Sequence, residues 1–167
     1  AVGSFHVPVF NDLESALAWK PEALVISTPP DQHYEYIELA LKNRLHHFCE
    51  EHIWTYDFRK IEEAEKNGIV SVSSCSLHFL PAVKELKRIV ENEIGDLHAY
   101  QMLLSTYMPG WHPGEGPEFY ARQRSTAAAR EMVPFELVYL DYVFSPPRKV
   151  AGSVGRRGKL DNGSEDS

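Results

Sequence analysis

The spacing of apolar and polar positions changes several times along the chain, and each change marks an element. "NDLESALAWK" opens on a capping side chain, Asn11, and sets Leu13, Ala16 and Leu17 on one face, which predicts a short helix. Ala23 to Ser27 forms a continuous, mainly apolar run of the kind buried on both faces of a parallel sheet. Pro29 and Pro30 end it. "DQHYEYIELALKNR" then places Tyr34, Ile37, Ala40 and Leu41 at helical spacing, with Asp31 at the start and Lys42 and Arg44 at the end to suit the helix dipole. "LHHFC" predicts the next strand, "TYDFRKIEEAEKNG" a third helix between Asp57 and a C-terminal Gly68, and "IVSVSSC" a β-branched strand. Residues 10–76 therefore alternate helix and strand, the pattern of a parallel α/β sheet. Such sheets bind ligands beyond the carboxyl ends of their strands. Here those ends read "STPPDQH" and "CEEHIW".

The texture changes after Cys75. "LPAVKELKRIVENEIG" predicts a longer amphipathic helix closed by Gly95, and "DLHAYQMLLSTY" a strand. "MPGWHPGEGPEFYARQRSTAAAR" is an irregular excursion rich in Pro, Gly and aromatics. "EMVPFELVYLDYVFSPP" is an apolar helix expected to begin near Pro134, and "RKVAGSVGRRGKL" a further strand before the polar tail. The expected architecture is thus an α/β unit over 1–77 followed by an α+β unit over 78–167.

Composition narrows the function. With 43% apolar residues the 167-residue chain can bury a core. A formal charge of -7 disfavours nucleic acid and anionic membrane as partners, and no apolar run approaches the roughly 20 residues of a membrane span. The N-terminus lacks the pattern of a signal peptide. Cys49 and Cys75 read as free thiols in a reducing compartment, taken as the cytoplasm. No metal is expected: His46 and His47 point to opposite faces of a strand, and His112 and Glu115 lack further ligands at a recognisable spacing. A G-x-S-x-G nucleophile turn is absent. Trp111 and Tyr120 suit stacking on a sugar face, or serve only to anchor a loop. Arg122, Arg124 and Arg130 offer guanidinium forks for a phosphate or carboxylate, or are surface arginines.

In order, these motifs resemble the glucose–fructose oxidoreductase / inositol dehydrogenase family. Its members show a strand, a T-P-x-x-x-H turn, a helix and a strand ending C-E-K-P. The counterparts here are Thr28, Pro29, Pro30, Asp31, Gln32 and His33, then Cys49, Glu50, Glu51 and His52. "SLHFLPAVKELKRIVENEIGDL" is similar to the family's R-F-x-P helix and G-x-I-G-x-I turn. "YMPGWHPGEGPEFYARQRS" is similar to a branch linked to nucleotide-sugar and polysaccharide synthesis.

The resemblance implies part of a Rossmann-type parallel sheet followed by part of an α+β domain with an open, mainly antiparallel sheet. It implies NAD or NADP as cofactor, a sugar, cyclitol or nucleotide-sugar hydroxyl as substrate, and a homo-oligomer formed through the second sheet. Thr28, Pro29, Pro30, His33 and Glu50 fall on cofactor-binding positions, with Glu50 at the nicotinamide ribose. No G-x-G-x-x-G occurs, so the chain is expected to begin inside the nucleotide fold and stop inside the second sheet. The family lysine is Glu51 here, and the family's H-x-x-D pair aligns with Phe135 and Val138. The candidate bases are then His112, His52, Glu51 and Glu136. The alternative is a catalytically impaired relative that binds a nucleotide sugar or a protein.

Overall fold

The computed structural model describes residues 7–50, 57–107, 110, 113–116 and 119–159. Three strands, β1 (Ala23–Ile26), β2 (His46–Cys49) and β3 (Ser71–Ser73), form a parallel sheet in the order β1-β2-β3. Helix α1 (Leu13–Ala18) precedes it, and α2 (His33–Lys42) and α3 (Phe58–Lys66) make the two crossovers. The predicted alternation is therefore observed. The cap of α1 is Asp12 rather than Asn11: its carboxylate accepts from the Ser15 amide at 2.7 Å and from the Ser15 hydroxyl at 2.9 Å. Helix α3 ends as the sequence predicts, with Gly68 in the left-handed region at φ 84° just beyond the cap.

Helix α2 buries His33, Ile37 and Ala40, spaced four and three apart along one stripe. Ile37 packs against Ile26 and Cys49, with Leu24, Tyr36, Leu41 and Ile61 around them. Residues opposite one another on that sheet face are Leu24 with His47 and Ile26 with Cys49. The other face differs from expectation. Val25, Phe48 and Val72 lie side by side across the three strands and are 70%, 39% and 41% exposed. The sheet is thus covered on one face among the described residues, because α2 packs against β1 and β2 from one side only.

The second part is helical where it is regular. Helix α4 (Pro81–Asn92) starts with proline at its first position, where no amide donor is needed. Helix α5 spans Ala128–Phe144, so Pro134 lies inside it and not at its start. The run Ala127–Ala129 consists of the best helix-forming residue and carries the helix back past the proline. The strands expected over 96–107 and 148–160 are not found among the described residues. Leu103 (90% exposed) and Val154 (82%) have no sheet to pack against, and a strand without a paired neighbour is not stable. The open antiparallel sheet is accordingly absent from the described residues. No described helix is long and apolar enough to cross a membrane.

Two bonds tie α5 to the segment after β3. The His78 ring Nε2 donates to the Val138 carbonyl at 2.9 Å and the ring stacks on Tyr142 at 4.6 Å. Lys87 Nζ donates to the Tyr142 carbonyl at 2.7 Å and lies 4.0 Å above that ring. The Tyr142 carbonyl belongs to the last helical turn, where no backbone donor is available, so the lysine fills that gap.

Two buried histidines give measurable expectations. His33 Nε2 donates to the Thr28 carbonyl at 2.8 Å, fastening the turn after β1 to the start of α2. His33→Ala removes this donor and leaves a void, and should lower the unfolding free energy by about 2–4 kcal/mol in urea titration. An unchanged midpoint would show that the turn holds without it. His47 pairs with the Ser71 hydroxyl at 2.8 Å, and burial holds its pKa below the usual 6.5. Below pH 6.5 the unfolded chain takes up a proton that folded His47 refuses, so stability must fall as pH drops through this window. Unfolding measured from about pH 7 down to about pH 5 should show this decline, and His47→Gln should flatten it.

Candidate active site

The strand ends meet along one rim because the ladder runs one residue past each strand. The Glu50 amide donates to the Ile26 carbonyl at 3.0 Å, and the Ser74 amide to the Cys49 carbonyl at 2.8 Å. Ser27 and Thr28 leave β1, Glu50 leaves β2 and Ser74 leaves β3 at one level. Pro29 and Pro30 then force the chain to turn, with proline at the first position of a short 3-10 turn, Pro30–Gln32, that leads into α2.

Opposite this rim stand Tyr120, Glu131 and Phe135, and between the two sides lies a cleft of about 460 Å³. Its strand-side lining includes Ser27, Thr28, Pro29, Pro30, His33, Glu50, Ser74 and Ser76. That volume falls in the range of small-molecule sites, roughly 300–1,000 Å³. The short 3-10 turn Tyr120–Arg122 is fixed by buried Thr126, whose hydroxyl donates to the Tyr120 carbonyl at 2.5 Å. The Tyr120 hydroxyl in turn donates to Glu131 Oε1 at 3.4 Å. Burial, then the Glu131 charge and more weakly the Glu50 charge, push the phenol up to about 12. It keeps its proton at neutral pH and acts as a donor.

The sequence candidates divide on this geometry. Thr28, Pro29, Pro30, His33, Glu50 and Tyr120 come together at the cleft. His33 contributes mainly from beneath, since it is 2% exposed and its Nε2 is engaged by Thr28. Glu136 does not line the cleft; it sits against Tyr139, whose phenol is raised by burial, by Tyr100 and by Glu136 itself. Arg122 lies outside the lining and donates to the Glu115 carbonyl at 3.5 Å. Arg130 falls in the first turn of α5, where side chains are not described. Glu51, His52, Trp111 and His112 lie outside the described residues. Among the described residues no cluster of three or more His, Cys, Asp or Glu side chains could hold a metal ion.

Glu131 was missed by sequence reasoning, though a signal existed. It lies four residues before Phe135, hence on the same helix face, whereas Glu136 is one residue beyond and turned away by about 100°. Asking which residues share a face with Phe135 would have found it.

The residues present fit the nicotinamide-ribose half of a dinucleotide. The Thr28 hydroxyl is buried and has no hydrogen-bond partner among the described residues, so a ligand oxygen would satisfy it. Glu50 offers a carboxylate to ribose hydroxyls, and the hydroxyls of Ser27, Ser74 and Ser76 extend the polar rim. No curated protein and no solved structure is significantly similar to the chain. A family model does match, over residues 1–74: the GFO/IDH/MocA oxidoreductase family, NAD-binding Rossmann fold. The parallel sheet and its ligand-side rim agree with this match, and residues 1–74 are similar to the NAD-binding Rossmann fold of that family.

Proposed function

We propose that the chain holds the nicotinamide end of NAD or NADP in this cleft and oxidises or reduces a hydroxyl-bearing carbon of a sugar, cyclitol or nucleotide sugar. The observation that carries the reading is the meeting of Thr28 and Glu50, on the nucleotide-side rim, with Tyr120 and Glu131 from the second part of the chain. The cofactor, when bound, supplies the hydride chemistry; the protein positions and moves protons. A substrate hydroxyl that becomes a carbonyl must surrender its proton to a base within hydrogen-bond reach. Glu131 presents a carboxylate to the cleft from the side opposite Glu50, and the Tyr120 phenol steadies it by donating to Oε1. Phe135, where the family has a histidine, offers the substrate an apolar wall instead. That substitution favours the second reading, a nucleotide-sugar binder that performs no turnover.

The full-length protein should bind NAD or NADP and turn over at least one member of a sugar and nucleotide-sugar panel. Glu131→Gln should then lose about 10²–10⁴-fold in turnover while still binding the reduced nucleotide. Cofactor binding without turnover on any substrate would favour the second reading. Failure to bind either nucleotide would overturn the oxidoreductase reading.

A further inference from the structure

We propose that Tyr120 is a catalytic residue whose phenol donates a hydrogen bond to the reacting oxygen of the substrate, and that Thr126 is the residue that positions it. This rests on the oxidoreductase reading above. Tyr120 enters the cleft from the wall opposite Thr28 and Glu50, the side from which a substrate lying over the nicotinamide must come. Its hydroxyl stands 3.4 Å from Glu131 Oε1. That is long for a bond between oxygens, whose usual length is about 2.7–2.8 Å. Two groups so spaced can each reach one further oxygen at ordinary hydrogen-bond length. A substrate hydroxyl set between them then meets a donor and a base together. The geometry holds whatever other contacts Glu131 makes.

As the hydride leaves the carbinol carbon for the nicotinamide and the hydroxyl proton passes to the base, the substrate oxygen carries partial negative charge. The Tyr120 O–H bond stays intact throughout and stabilises that charge, in oxidation and in the reverse reduction alike. Burial above all keeps the phenol protonated, so the donor is present at neutral pH. Such a donor is effective when it is already in place before the reaction. The Tyr120 carbonyl accepts from the Thr126 hydroxyl at 2.5 Å and from the Gln123 amide at 2.9 Å, and the ring packs edge-on against Phe119 at 4.7 Å. Ala121, Thr126 and Ala127 are each at most 2% exposed, so the turn that carries Tyr120 is embedded in protein. Thr126 does not line the cleft and acts on it through Tyr120.

The test uses the full-length protein with NAD⁺ and NADP⁺ on the sugar and nucleotide-sugar panel, turnover being read from the absorbance of the reduced nicotinamide. On the panel member that the parent oxidises best, Tyr120→Phe keeps the ring and should lose about 10²–10³-fold in kcat. Its KM, and its dissociation constants for NADH and NADPH, should stay within roughly twofold of the parent's. The pH at which kcat falls on the acid side should not move, since the phenol faces the substrate in the ternary complex. A moved limb would show that Tyr120 acts only through Glu131, against the proposal. Thr126→Val, matched in shape, should lose roughly 10- to 10²-fold in kcat, and Thr126→Ser should recover it. Thr126→Val added to Tyr120→Phe should lose nothing further; an independent loss would overturn the positioning role. Thermal melts identify a variant that has lost its fold, and the variant at the other position then decides. Unchanged turnover in Tyr120→Phe overturns the proposal and leaves the oxidoreductase reading standing. A parent that binds the nucleotides and turns over nothing overturns the catalytic role while the cofactor site stands. A parent that binds neither nucleotide removes the site reading as well.

Discussion

The backbone ladder continues past the last paired residues of the sheet, through the Glu50 amide to the Ile26 carbonyl and the Ser74 amide to the Cys49 carbonyl. Without those two bonds the three strands would still pair, but their exits would not be held level. A carboxylate, a threonine hydroxyl and a serine would then leave the sheet at unrelated heights. His33 completes the arrangement by fastening Thr28 to the buried stripe of α2, so the turn that bears Thr28 and Pro29 moves with the core and not with the solvent-exposed loops. The position of the cleft is in this sense a property of the sheet's hydrogen bonding, and its chemistry is a property of the side chains placed at the exits.

The opposite wall depends on different contacts. Helix α5 is held by His78 and Lys87, each of which bonds a carbonyl in its second half. Glu131 and Phe135 are in the first half, ahead of and just after Pro134, which removes one helical hydrogen bond there. The cleft therefore has one wall anchored in a sheet and another anchored at a distance along a helix. The Thr126–Tyr120 bond adds a local brace close to the cleft itself.

The sheet was legible in the sequence because each of its signals is local. A short apolar run bounded by prolines, a stripe at helical spacing and a glycine beyond a helix end can each be read within a dozen residues. Boundaries slipped by small amounts where two residues compete, as Asn11 and Asp12 did for one cap. The second part was harder because its signals need partners. "DLHAYQMLLSTY" has the composition of a strand, but composition does not supply the neighbour that would pair with it, and Leu103 stands almost fully exposed. Pro134 misled for a related reason: proline favours a first turn, yet three alanines upstream outweigh that preference. Of the site, the rim residues could be read from strand ends. Glu131 required knowing that Phe135 faces the cleft, which is a tertiary fact.

The two cysteines acquire unequal chemical lives from this architecture. Cys49 is 1% exposed in the core and burial raises its thiol to about 12, so it holds almost no thiolate at neutral pH and is closed to reagents. Cys75 is half-buried and sits between Ser74 and Ser76, both of which line the cleft. Cys75 is thus the more accessible sulfur of the two, next in sequence to two residues of the cleft lining though not itself part of it. On this chain a maleimide dye or spin label should react at Cys75 in preference to Cys49, one residue away from side chains that line the cleft.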